Sequence, residues 1–181
     1  PAPGAVRAAQ DLWVDRALAE HEDGEAGVTE REFVGFASDA RRPGFVTDVD
    51  TAQRVMDERW HTKGRSIVLL NSPLTVAERP FATITHLRAV LLEIGDVIDA
   101  ADDIVMLHLT GNAGANHPLA AVNPPPDLAG LSPQGLTPLL AAAGTRCRVA
   151  PGAGRPPEAP VGQPIWRQYA PWRENAVARP L

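Results

Sequence analysis

The sequence predicts an α/β fold, three layers deep, built on a mainly parallel sheet. Two observations carry that expectation. Continuous apolar runs of strand length stand at 32–37 (EFVGFA), 66–71 (SIVLLN) and 103–110 (DIVMLHLT), with a fourth candidate, RCRVA, at 146–150. Between them lie segments whose apolar residues recur every three or four positions, so strand and helix alternate along the chain. Right-handed crossovers then put helices on both faces of one sheet.

The elements follow in order. Residues 6–21 have helical spacing, with Val6, Ala9, Trp13 and Ala17 near one face and Asp11 and Asp15 opposite. EDGEAG breaks that helix, EFVGFA makes the first buried strand, and DARRPG turns the chain. A helix over 47–60 is expected to open on Thr47 and Asp50, which have capping-box spacing, with Val49, Ala52, Met56 and Trp60 in one stripe. SIVLLN reads as a central strand covered on both faces. Over 81–97, Ile84, Leu87, Leu91 and Ile94 share a face, with His86 and Glu93 pointing away. Ser132 caps a short leucine-rich helix that Gly144 closes.

Residues 1–150 therefore read as the folded domain. Residues 151–181 read as an irregular tail, because they hold 7 of the 18 prolines and show no sustained period. Trp166, Tyr169 and Trp172 give part of that tail something to pack with.

Composition excludes some partners. The formal charge is −5 with both signs interleaved, so no basic face marks a nucleic-acid or anionic-membrane binder. No run reaches the 18 or so apolar residues of a membrane span. Cys147 is the only cysteine, which excludes an internal disulfide and a Cys-rich zinc site. The chain opens at Pro1, as a trimmed form would, and the compartment stays open between cytoplasm and periplasm.

Ligands of parallel sheets bind at the carboxyl ends of strands, here Ala37–Asp39, Asn71–Pro73, Thr110–Asn116 and the segment after Ala150. Gly111-Asn112-Ala113-Gly114 lacks the glycine pattern of a dinucleotide loop and reads as a turn. The five histidines never fall four apart on one helix, so no metal or cofactor is expected. His108, mid-strand, reads as a hydrogen-bonded core residue, and His117 is the histidine best placed for chemistry. Cys147 lies between Arg146 and Arg148, but alternation along a strand turns both arginines away from it. Arg41 and Arg42 read either as a fork for a carboxylate or as solvated turn residues.

The order of segments adds a resemblance. FVGFASDARRPGF, then DTAQRVMDERWHTKGRSIVLLNSP, then PFATITHLRAVLLEIGDVIDAADDIVMLHLTG resembles the bacterial branch of the legumain-like cysteine peptidases. It runs from about Glu32 to Val149, and its most specific stretch is TxxxLRxxLxxIGxxxxxxDDIxxLxLT. The resemblance implies a caspase-like fold. It also implies a catalytic histidine in a Thr-Ser-His-Gly turn after the third strand, and a nucleophilic cysteine after the fourth. Here Thr110 matches, Gly111 replaces serine, Asn112 replaces histidine and Ala113 replaces glycine. The cysteine position falls near Arg155.

Both members of the dyad are thus replaced, and asparagine cannot take a thiol proton. The expectation is an inactive peptidase homologue that binds a peptide or protein at the vacated cleft. By resemblance to the family's pocket, Arg41 and Arg42 would select acidic or asparagine-like side chains. An open sheet edge makes a homodimer a reasonable partner state. Two alternatives stay open: an active cysteine peptidase using Cys147 and His117, or a frame-disrupted product without function.

Overall fold

The computed structural model describes residues 3–25, 27–113, 118–124, 128–144 and 147–151. Eight elements alternate as expected: α1 (Pro3–Ala19), β1 (Arg31–Ala37), α2 (Gly44–Trp60), β2 (Ser66–Leu70), α3 (Ile84–Val97), β3 (Ile104–Thr110), α4 (Pro133–Ala142) and β4 (Cys147–Pro151). All three strand pairings are parallel, in the order β2-β1-β3-β4.

Helices cover both faces, giving three layers. On one side α3 and α4 set Leu87, Leu91, Ile94, Leu136 and Leu140 against Val34, Leu69, Leu107 and Leu109, with Ala17 and Leu18 of α1 at the margin. On the other, α2 lays Phe45, Val49 and Met56 over Phe33, Val68 and Leu70. The alternation of β3 shows the consequence: Val105, Leu107 and Leu109 are buried, while Ile104, Met106 and His108 are half-buried. Helices α3 and α4 meet where a Cβ on Gly95 would strike the carbonyl of Ala143, so the close approach depends on glycine.

Several local expectations are corrected. α1 ends at Ala19, before His21, whose Nε2 meets Glu32 Oε2 at 2.7 Å in a buried contact. α2 opens three residues before Thr47, at Gly44, behind an N-cap Pro43 that makes no side-chain cap bond. Proline already holds the φ a first turn needs, and Asp50, no longer a cap, pairs with Arg79 at 2.8 Å. β2 is an edge strand, not a central one, because the α3 crossover carries the chain back past β1 before β3 pairs. α3 starts at Ile84, where Thr83 accepts the His86 N–H at 3.1 Å. His86 points inward: Nδ1 lies 2.9 Å from the Phe81 carbonyl, and the ring faces Asp11 on α1. Ser132 and Gly144 behave as the sequence reads, the first accepting from Gly135 N–H and the second at φ 63°. Pro151, counted with the tail in the sequence, ends β4 instead.

A candidate site at the strand switch point

The crossovers that leave β1 and β3 run in opposite directions, so the strand order reverses between them, and it is outside such strand ends that parallel sheets form their ligand crevice. Those ends are Ser38–Asp39 and Gly111–Asn112. They are laced together. Ser38 N–H donates to the Thr110 carbonyl at 3.0 Å, and Ser38 Oγ donates to the same oxygen at 3.3 Å. A Cβ on residue 111 would collide with Ser38 Oγ, so glycine at 111 and serine at 38 fit each other.

Segment 118–124 then crosses the end of β1. Val122 N–H donates to the Ser38 carbonyl at 2.8 Å, and Ala40 N–H donates to the Val122 carbonyl at 2.8 Å. From the other side comes Asn71, just past β2. Its Nδ2 donates to the carbonyls of Ser38 at 2.8 Å and Ala82 at 3.0 Å, and its Oδ1 accepts from Ala82 N–H at 3.0 Å.

Asp39 occupies the centre, with its carboxylate buried. Oδ1 accepts from the Arg41 backbone N–H at 3.0 Å and from Arg41 Nε at 2.9 Å. Oδ2 accepts from Arg41 Nη2 at 2.6 Å and from Asn112 Nδ2 at 2.6 Å. A carboxylate offers about four lone-pair sites, and here four donors take them. Burial pushes the Asp39 carboxyl up, but the hydrogen bonds from Arg41 and Asn112 outweigh it and hold the group below its ordinary value. Asp39 is therefore a fixed anion and a brace between β1 and β3. It is poorly suited to accept a substrate proton.

Arg41 spends the Nε–Nη2 edge of its guanidinium on Asp39, which raises its own pKa in turn. The rest of its head is exposed, and Arg42 beside it is exposed and makes no ion pair among the described residues. Asn112 is half-buried, and its backbone carbonyl accepts from Ala120 N–H at 2.9 Å. Two buried groups nearby, Thr110 Oγ1 and both ends of the Asn123 amide, have no hydrogen-bond partner among the described residues.

The structure thus brings Arg41 and Asn112 to one carboxylate and leaves Arg42 at the rim. His117 and Arg155 lie outside the described residues, as does the side chain of Cys147, whose backbone pairs opposite Val105 in β4. His108 is opposite Gly35, two residues before the end of β3, and is stacked on Phe33 at 6.5 Å. The sequence reading gave it a hydrogen bond, yet its Nε2 is buried without a partner among the described residues. Burial lowers its pKa, partly offset by Asp48, so the ring is neutral at pH 7.

Asp39, Ser38 and Asn71 escaped the sequence reading as individuals, although the strand ends that hold them were singled out. The signal for Asp39 was its spacing from Arg41, two residues along a turn, which suits an aspartate that folds back on its own backbone. No protein-family model matches the chain, and no curated protein matches it.

Proposed function

We propose that the chain is a legumain-like peptidase homologue of caspase-like fold without peptidase activity, and that it binds a peptide or protein partner at the β1/β3 crevice. One observation carries the reading. Asn112, at the position where the resemblance calls for histidine, is committed through its Nδ2 to Asp39 at 2.6 Å. That bond turns the end of β3 into a structural joint. Among the described residues, a thiol at this crevice would find neither an imidazole nor a free carboxylate to take its proton.

What the crevice offers is charge. The exposed part of the Arg41 head and the unpaired Arg42 stand at its rim, so an acidic or carboxamide side chain on an extended partner fits there. Peptides with a central Asp, Asn or Lys, each carrying a fluorophore, test this by anisotropy. The Asp peptide should bind best, and Arg42→Ala should weaken it about tenfold or more, as loss of a charge-assisted hydrogen bond does. Arg41→Lys should also weaken it, because lysine cannot hold Asp39 and reach outward together. Equal binding of all three peptides, unchanged in both variants, would remove the crevice as the binding site.

A further inference from the structure

We propose a second peptide-binding site, at the part of the β2 edge around Val68 that is unpaired among the described residues, which takes an extended segment as a fifth strand. The hydrogen-bond ladder identifies the edge. Phe33 N–H donates to the Arg65 carbonyl at 3.0 Å, and Asn71 N–H donates to the Ala37 carbonyl at 2.8 Å. Odd-numbered residues of β2 therefore face β1, and the backbone groups of Ser66, Val68 and Leu70 face outward. The Leu70 N–H confirms the direction by donating to the Pro80 carbonyl at 2.9 Å. Val68 N–H and C=O have no such partner among the described residues.

Val68 opens into a groove of about 420 Å³. One wall is a stripe of α1 made by Trp13, Arg16, Ala17 and Glu20, the other is Gln53 of α2, and Glu78 to Pro80 close one end. The stripe is held in place from behind: the buried Gln10 donates to the Val76 carbonyl at 2.9 Å and accepts from Phe81 N–H at 2.6 Å. A sheet edge recessed between two helices cannot meet the same edge of a second copy, but it admits a single strand.

The walls specify the occupant. Only an extended backbone presents a carbonyl and an N–H spaced to match those of Val68. Its side chains alternate, so every second one lies on Trp13 and Ala17 and should be apolar, while the others lie toward Gln53 and should be polar. Arg16 is paired with Glu20 and Arg79 with Asp50, each at 2.8 Å, whereas Glu78 has no ion pair among the described residues. The segment should therefore carry a Lys or Arg at the Glu78 end. This site stands at the opposite side of β1 from β3 and does not depend on the reading of the crevice.

A phage library of random heptapeptides selected against the full chain tests the proposal. Selected peptides should alternate apolar and polar residues, with a basic residue at one end. A synthetic one should bind at least tenfold more weakly to Trp13→Ala and to Val68→Pro, and about twofold to fivefold more weakly to Glu78→Gln. Proline at 68 removes an outward N–H, which an edge strand tolerates, but it also replaces a side chain packed under α2. Should that variant fail to fold, N-methylation along the peptide supplies the same information. Binding should fall when the methyl blocks an amide facing β2 and persist when it is one residue along. The proposal is overturned if no peptide is selected, if binding ignores Trp13→Ala and every N-methylation, or if Trp13→Ala abolishes a self-association of the chain instead.

Discussion

Asn71→Ala should lower the stability of the fold by about 2–6 kcal/mol, the cost of stranding two buried backbone groups. The carboxamide holds three such groups, but they do not suffer equally. The Ser38 carbonyl keeps a second donor, Val122 N–H at 2.8 Å. Among the described residues, the N–H and carbonyl of Ala82, a residue with no exposed surface, have only Asn71 to replace water. Urea unfolding of the variant reads the loss as a lower midpoint at unchanged slope. Asn71→Asp separates the hydrogen bonds from simple packing. It sets a carboxyl against two carbonyl oxygens, which favours the protonated form and raises the folded pKa above the unfolded value of about 3.9. The stability contributed by the neutral acid is then present below about pH 4 and lost as pH rises through the folded pKa. The variant should regain stability on acidification relative to Asn71→Ala. Identical pH profiles for the two would show that the side chain serves packing alone.

His21→Ala should cost about 1–3 kcal/mol, the usual penalty for leaving a buried hydrogen-bonding group without its partner. The side chains of His21 and Glu32 are each 2 % exposed and meet at 2.7 Å. Without the imidazole, the nearest cation to Glu32 among the described residues is Arg65, whose Nε stands 3.8 Å away and is shared with Glu30. His21→Leu combined with Glu32→Leu should lose less than the two single changes added together, because the stranded polar group is removed with its partner. Additive losses in a denaturant double-mutant cycle would mean the contact carries no coupling.

The same residues show what a sequence can reveal. Apolar runs located all four strands to within a residue or so, because strand burial depends on nothing more distant than the run itself. The start of α2 was harder to find. Thr47 and Asp50 have the spacing of a cap, yet Pro43 begins the helix earlier and Phe45 and Val49 together bury its first turns. β2 has the composition of a central strand because helices cover both of its faces; only the strand order shows that one of its edges is open. His21 and His86 look like surface residues of amphipathic helices until α1 is packed on the body. The Asn112 half of the Asp39 brace could not be read before β1 and β3 were known to be neighbours, since Asn112 is 73 residues away.

Under the proposed peptidase homology, the brace also gives the asparagine at 112 a physical meaning. Asparagine at 112 offers Asp39 a neutral donor, and Gly111 makes room for Ser38. Placing a histidine at 112 alone should therefore not bring peptidase chemistry: the imidazole would have to displace a bond that holds two strand ends together.

The central claim, that this is a binding protein and not a peptidase, is tested most directly by a thiol-directed peptide probe on the full chain. The account predicts no covalent labelling of Cys147 beyond that of the unfolded chain, and intact peptides by mass spectrometry. Labelling of Cys147 that His117→Ala abolishes, accompanied by cleavage of the peptide, would contradict it.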